Sequence, residues 1–599
     1  MSHDLLKIPF DPHKILAKRK SIKKQLLENL PSSFLEKRIA LLGGSTTRDI
    51  MEILELFLLN YGIKPAFYES EYGQYWQDVM FDAPSLVSFA PDIAVVHTSN
   101  RNITRYPEPD DDSAKIDESL NAEAQKFRMF WDKLRSGYGC SIIQNNFEYP
   151  FYRLMGNKEA SDIHGRVNFI TRLNMKFYEY AQQCGNFYIN DINYISSSYG
   201  LEQWADPFYW YMYKYSLCLP AIPLLAHNIS NIVKSIYGKN KKVLTLDLDN
   251  TLWGGVVGDD GVNGIAVGQE TSEGQAYREF QEYIKAHLKL GVLLTVNSKN
   301  DRENALSGLN HPDGALRPED FAVIKANWEP KSLNIMETAA ELSLLPESFV
   351  FADDNPAERA IVEDQAPGVA VPVMEKPERY IQTLDKFGFF EVTNLSQDDL
   401  RRGTMYKENA ERATLMASFE NYRDYLLSLE MKAEIRAFEP VYMSRIAQLT
   451  NKSNQFNLTT KRYTQGEIEA AAQDDRFVTL YGKLEDKFGD NGVVSVVIGR
   501  IDERVLHVEL WLMSCRVLKR DMEYAMMDTL VKRCRSLKGV TGVTKILGYY
   551  YKSAKNAMVK DFYDRMEFTK QSEDTDGNAV WILDIDNYKT KNTVVEVID

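Results

Sequence analysis

In the middle of the chain the apolar run Val243-Leu244-Thr245-Leu246 leads into Asp247-Leu248-Asp249-Asn250-Thr251-Leu252-Trp253-Gly254-Gly255. The run reads as a buried strand, and alternation along an extended chain puts Asp247 and Asp249 on one side of its tip. One carboxylate there can attack phosphorus while the other exchanges a proton with the leaving or attacking oxygen. The pair also suits a hard cation, and Mg²⁺ would hold a phosphate against it. The expected strand Val292-Leu293-Leu294-Thr295-Val296 ends in Asn297-Ser298-Lys299-Asn300, where a hydroxyl can donate to a phosphate oxygen. Lys331 follows Asn327-Trp328-Glu329-Pro330 at an expected helix start, from which its charge can reach the same anion. The run Ser348-Phe349-Val350-Phe351-Ala352 ends in Asp353-Asp354, which adds ligand oxygens for the cation. Singly these pieces are an acidic turn, a strand-end cap and a surface lysine; their order after successive elements points to one site.

The elements that must position them are those of a parallel α/β unit, strands alternating with helices such as the one expected from Ser272 to Leu290. The Gly- and Asp-rich stretch from Val256 to Gly264 reads as a short hairpin or flap. Asp247 to Ser298 is 51 positions and Ser298 to Lys331 is 33, each filled by one helix and its loops, so neither gap houses a cap domain. The order of motifs resembles the haloacid dehalogenase superfamily, whose caps exclude water and select small substrates, and the resemblance implies that an uncapped core acts on a group carried by a macromolecule or borrows a lid.

At 599 residues the chain should divide into about three or four domains. A formal charge of −14 argues against non-specific nucleic-acid binding. Cys140, Cys184, Cys218, Cys515 and Cys534 show no C-x-x-C spacing, which points to a reducing compartment and away from structural zinc. The apolar run from Tyr211 to Leu225 is broken by Lys214, Pro220 and Pro223 short of a membrane span. Lys18-Arg19-Lys20 and Lys23-Lys24 read as the wet face of a first amphipathic helix, and the chain as a cytoplasmic protein with no membrane span.

Toward the N-terminus, the strand Arg38-Ile39-Ala40-Leu41-Leu42 ends in Gly43-Gly44-Ser45-Thr46-Thr47, and strands at Ile93 to His97 and Ser141 to Ile143 follow. This resembles an SGNH (GDSL-like) hydrolase, in which Ser45 and Asn100 would take the places of the serine and the asparagine. The D-x-x-H of that family is here Asp206-Pro207-Phe208-Tyr209, without the histidine. A serine without a base is a poor nucleophile, so a non-hydrolytic binding or scaffolding domain is expected.

Beyond an expected helical connector from Asp398 to Leu429, the segment from Arg445 to Tyr463, with N-K-S-N-Q-F-N-L-T-T-K-R-Y at its end, is dense in polar side chains that need partners or a ligand. Strands, a helix from about Lys519 to Leu537, a strand and a helix near Asn556 to Met566 then resemble the GNAT acetyltransferase fold, with Asn556, Phe562 and Tyr563 like its asparagine-and-tyrosine helix. The pyrophosphate loop R-G-x-G-x-G/A is replaced by Arg520-Asp521-Met522-Glu523-Tyr524-Ala525, whose acids oppose a pyrophosphate. A pantetheine arm without the nucleotide, as on a carrier protein, stays compatible.

The four acid, hydroxyl and lysine motifs in their order resemble the haloacid dehalogenase (HAD) superfamily. That resemblance makes Asp247 the nucleophile forming an aspartyl-phosphate and Asp249 the general acid/base, with Ser298 and Lys331 as the phosphate clamp. It gives Mg²⁺ to Asp247, Asp353, Asp354 and the main-chain carbonyl of Asp249, and places Asn250, Thr251 and Asn297 around the phosphate. The longer set, D-L-D-N-T-L-W-G-G, S-K-N, N-W-E-P-K-S, D-D-N-P-A-E-R and S-C-R-V-L-K-R, resembles the FkbH-like proteins of HAD subfamily IIIC. The implied fold is α/β and multidomain: an SGNH-like domain at 1–236, the HAD core at 237–390, a helical connector at 391–430, a GNAT-like domain at 431–588 and a tail at 589–599. The expected function is a Mg²⁺-dependent phosphatase of a phosphorylated small metabolite. The alternative is transfer of glyceryl from 1,3-bisphosphoglycerate to the thiol of an acyl carrier protein. No cysteine lies between Cys218 and Cys515, and Asn297 stands where some relatives carry one, so transfer needs direct attack by the carrier thiol or Cys515 as relay.

Overall fold

A computed structural model describes residues 5–30, 34–416, 418–453, 455–553 and 555–598. Ala417 of the expected connector, Asn454 of the polar segment and the final Asp599 lie outside the described residues. The chain forms two compact units, one running to Tyr237 and including Thr464–Glu467, the other taking Gly238–Tyr463 and the chain from Ile468 onward. The expected core, connector and C-terminal domain thus share the second unit.

In the first unit, β1 (Leu35–Gly43), β2 (Ile63–Glu69), β3 (Ile93–His97), β4 (Ser141–Asn145) and β5 (Phe187–Asn190) form a parallel sheet ordered β2-β1-β3-β4-β5. Alternation along β1 serves both faces. Ile39 and Leu41 pack with Ile50, Ile53 and Leu54 of the helix Arg48–Asn60, while Ala40 and Leu42 pack with Phe127 and Trp131 of Ser113–Tyr138. Because β1 lies beside β3, the turns bearing Ser45 and Asn100 open at one end of the sheet, where the strand order reverses.

The second unit opens with the parallel sheet β8-β7-β6-β9, made of β6 (Val243–Leu246), β7 (Leu293–Ser298), β8 (Phe321–Ala326) and β9 (Phe349–Ala352). Leu244 and Leu246 pack under Tyr277, Phe280 and Ile284 of the helix Ser272–Leu288, and Val243 packs on the opposite face with Ile335 and Val362. This is the Rossmann-like core that the motif order implied, with no domain inserted between β6 and β7. The expected hairpin there is a helical turn, Val257–Asp260, closed by one antiparallel bridge between Gly254 and Ala266.

The connector is helical in three pieces, Gln397–Leu400, Arg402–Met416 and Tyr422–Ser428. A mixed sheet follows, built from β10 (Lys432–Arg436), β11 (Phe456–Asn457), β12 (Phe477–Asp486), β13 (Gly489–Asp502), β14 (Val505–Met513), β15 (Lys545–Tyr550), β16 (Thr569–Glu573), β17 (Ala579–Asp584) and β18 (Glu596–Ile598). Its order is β16-β17-β15-β14-β13-β12-β10-β18, with β11 paired to β14. Two expectations need correction. The helix near Asn556 to Met566 is two short pieces, Ala557–Val559 and Phe562–Arg565. The tail is a parallel edge strand on β10, held as Asp528 accepts hydrogen bonds from Tyr588, Lys591 and Asn592.

Candidate functional site

β6 lies between β7 and β9, so parallel register brings the tips bearing Asp247, Ser298 and Asp353 side by side. Pro330 precedes the helix Lys331–Glu341, whose first residue turns inward. Lys331 Nζ lies 2.6 Å from Asp353 Oδ2 and 3.0 Å from Asp247 Oδ1. All three are buried, Lys331 being 3% exposed. Burial, then the Asp247 charge, pushes the Asp353 carboxyl up to about 6. Asp249 and Asp354 are raised as well, chiefly by burial. Burial pushes Lys331 down, but Asp247 and Asp353 outweigh it and raise the ammonium on balance.

Carboxylate oxygens of Asp247, Asp353 and Asp354 lie within 4.8 Å of one another. No hydrogen bond reaches the buried Asp247 Oδ1 among the described residues, although Lys331 is close. Clustered hard oxygens, carrying more negative charge than Lys331 alone neutralises, fit a divalent cation that takes oxygen ligands. The Asp249 carboxylate stands outside this cluster, so only its main-chain carbonyl remains as the ligand that the resemblance assigned.

The side chains of three residues expected around the phosphate also brace the site. Asn250 adopts φ +56°, its Oδ1 accepts from Gly255 N at 3.0 Å, and its carbonyl accepts from the hydroxyls of Tyr277 and Tyr380. Thr251 Oγ1 accepts from Asp354 N at 3.2 Å and donates to Asp354 Oδ1 at 3.3 Å. Asn297 Nδ2 donates to Lys331 O at 2.8 Å and its Oδ1 accepts from Asn334 at 3.1 Å, so the amide fixes the start of the lysine helix. Ser298 keeps its place at the end of β7, where its carbonyl accepts from Asn327 N.

Sequence reasoning passed over several contributors. Arg359 donates from Nη1 to the carbonyls of Asp353, Asp354 and Met374, tying down the second acid pair. Trp253 and Asn300 both donate to Asp249. Trp328 is 70% exposed, yet its indole N–H donates to Asp301 Oδ1 at 3.0 Å, so the loop after β8 is tied to the turn after β7. The dipeptide neighbours of the motifs were the available signal; which of them turned inward was not.

In the first unit Ser45 and Asn100 share an end of the sheet but take different partners. Asn100 Nδ2 donates to Glu148 Oε1 at 2.9 Å, and burial pushes that carboxyl up to about 8. Ser45 Oγ lies 3.2 Å from Ser216 Oγ, which lies 3.1 Å from His97 Nε2. This places a histidine near the serine, but in the wrong tautomer. Asn228 donates to Asn190 at 2.6 Å, Asn190 to Asn145 at 2.6 Å, and Asn145 Nδ2 to His97 Nδ1 at 2.8 Å. The ring proton therefore sits on Nε2 and is given toward Ser216, so His97 offers the serines no lone pair. Burial also pushes His97 down to about 4, keeping it neutral.

In the second unit Cys515 packs against a cluster that includes Val243, Leu293, Phe349 and Tyr406, and Lys242 is among its charged neighbours. Val243, Leu293 and Phe349 begin their strands, whereas Asp247 follows the end of β6. At about 3.3 Å per residue, Lys242 and Asp247 are about 16 Å apart along the strand. The thiol thus lies toward the amino end of the sheet, the end opposite Asp247. The loop expected to oppose a pyrophosphate also turns its base inward, with Arg520 Nη1 donating to Asp486 Oδ2 at 3.0 Å and Nη2 to Asn409 at 2.7 Å. The polar segment meets its own chain. Leu458 N donates to Trp511 O at 3.0 Å and Leu458 O accepts from Tyr551 N at 2.8 Å, joining the segment to β14 and to the residue after β15.

Residues 38–234 match the family described as FkbH, N-terminal domain. The chain is similar to the N-terminal part of protein BF1531 from Bacteroides fragilis, solved as a phosphatase-domain-containing structure complexed with Mg. Identity is 30%, the match covers 63% of this chain and 99% of that one, and the TM-score is 0.58. Solved structures also include the ribosomal-protein-S18-alanine N-acetyltransferase of Escherichia coli, at 12% identity, 26% of this chain, 94% of that chain and TM-score 0.20. The GNAT domain of S. lividans PAT matches at 14% identity, 25% of this chain, 90% of that chain and TM-score 0.21. No curated protein matches the sequence. Fold and site thus define a multidomain α/β protein with an FkbH-type N-terminal domain and an acid-and-lysine site on a parallel core. The chain belongs to the family of BF1531.

Proposed function

We propose that this protein is a Mg²⁺-dependent phosphatase that acts on a phosphorylated small metabolite through an aspartyl-phosphate on Asp247. The observation that carries the reading is the buried cluster of Asp247, Asp353 and Asp354 with Lys331, in a relative of a phosphatase-domain protein complexed with Mg. Asp247 attacks phosphorus, and Asp249 gives a proton to the departing oxygen and later takes one from water. Lys331 and Ser298 hold phosphoryl oxygens. Asp247, Asp353, Asp354 and the Asp249 carbonyl would hold the cation, which supplies positive charge against the phosphoryl group. The core carries no inserted cap, and Trp328, exposed on the loop that leads to Lys331, would meet the rest of the substrate.

Full-length protein screened against phosphorylated metabolites, 1,3-bisphosphoglycerate among them, should release phosphate with Mg²⁺ and lose at least about 100-fold of that rate in EDTA, in line with a lost charge stabilisation of several kcal/mol. Metal-independent release, or none from any substrate, sinks the reading. Cys515→Ser should leave the rate within about twofold, as for a side chain outside the site. Weighing carrier proteins incubated with the enzyme and 1,3-bisphosphoglycerate tests glyceryl transfer; an adduct formed by the wild type and lost in Cys515→Ser would restore the relay.

A further inference from the structure

The carboxylate of Asp249 accepts three hydrogen bonds, unequally shared. Oδ1 takes two, from Trp253 Nε1 at 2.9 Å and Val257 N at 3.0 Å, which fills its two lone-pair directions. Oδ2 takes one, from Asn300 Nδ2 at 2.9 Å, and keeps one direction open. Asn300 is 5% exposed and follows Ser298 by two residues, on the turn that closes β7. Its neighbours are pinned on both sides: Lys299 pairs with Glu358 at 2.6 Å, and Asp301 accepts from Trp328 at 3.0 Å.

We propose that Asn300 is a positioning residue that aims Asp249 so that Oδ2 alone exchanges the proton. The proposal rests on the phosphatase reading. In the first step an Asp247 oxygen bonds to phosphorus, the bond from phosphorus to the leaving oxygen breaks, and the proton on Asp249 Oδ2 passes to that oxygen. In the second, a water oxygen bonds to phosphorus, one water proton passes to Oδ2, and the bond from phosphorus to Asp247 breaks, freeing phosphate. An N–H from Asn300 suits both states of Oδ2. A carboxylate oxygen accepts it, and a protonated one still has a lone pair for it while its own O–H points along the remaining direction. The same amide therefore holds Asp249 still while the proton leaves and returns, and this limits the orientations that do no chemistry.

The test is single-turnover release of the leaving group, with Mg²⁺, from 4-nitrophenyl phosphate and from an alkyl phosphate. A nitrophenolate departs without a proton, whereas an alkoxide needs one. Asn300→Ala should slow the alkyl substrate by at least about 30-fold, within the range of general acid catalysis, and the aryl substrate by less than about threefold, with the half-saturating concentrations little changed. Asn300→Leu, which keeps a similar size and lacks the donor, should give the same pattern and carries the test if the alanine variant does not fold. Equal losses on the two substrates, or a change confined to half-saturation, overturn the assignment and leave the phosphatase reading standing. A wild-type protein that releases no phosphate from either substrate overturns both.

Discussion

Asp247→Asn should abolish phosphate release, lowering the rate by at least about 10⁴-fold, or ~5.4 kcal/mol at 1.36 kcal/mol per tenfold. The amide keeps the size of the side chain, so the core around β6 stays packed, but its oxygen is neutral and a poor nucleophile toward phosphorus. The fold should not suffer with the chemistry. Asp247 stands near Asp353 and Asp354 and raises both of their pKa values, so removing its charge relieves repulsion in the cation-free protein, and Lys331, although it loses Asp247 as a counter-charge, keeps the closer Asp353 at 2.6 Å. The melting temperature of the variant in EDTA should therefore equal or exceed that of the wild type. Melting and phosphate release measured in one buffer check both halves, and residual activity above about a hundredth of wild type would remove Asp247 from the role of nucleophile.

Lys331→Ala should have the largest effect on stability. Lys331 is 3% exposed and Asp353 fully buried, so the substitution leaves two inward carboxylates with no counter-charge, a loss of about 3–5 kcal/mol for breaking a buried pair. Mg²⁺ should restore more of the melting temperature in this variant than in the wild type, because the cation neutralises the same oxygens. The pH dependence has a definite sign. The Asp353 carboxyl is raised from 3.8 to about 6 on folding, so its contribution is present below about pH 3.8 and lost as pH rises through 6. In EDTA the stability from this group falls across that window, and the deficit of Lys331→Ala should widen as pH rises. A variant that melts like the wild type in EDTA at pH 7 would show that Lys331 is no structural counter-ion.

The motif residues were legible because their signals are local. A buried apolar strand ending in acids, a strand ending in a hydroxyl and a helix opening on lysine can each be read within about ten residues, and parallel α/β connectivity then sets their tips along one edge. The bracing contacts of Asn297, Asn250 and Thr251 were not legible in this way. Their types suit a phosphate equally well, and only packing shows that each amide or hydroxyl already has a backbone or carboxylate partner. The polar density from Arg445 to Tyr463 was legible as a demand for partners, but not that β14 and Tyr551 would meet it.

What the sequence by itself determined is the inventory and order of reacting groups: two acid pairs, a serine and a lysine on successive elements, and no base in the motif that should follow Ser45. Tertiary structure decided how those groups are used. Strand pairing sent Cys515 toward the amino end of the core sheet, opposite the end that carries Asp247. A run of three asparagine amides set the His97 tautomer, and Asn300 with Trp253 set which Asp249 oxygen stays open. Periodicity is a property of the local backbone, whereas hydrogen-bond direction depends on residues far apart in the chain that only folding brings together.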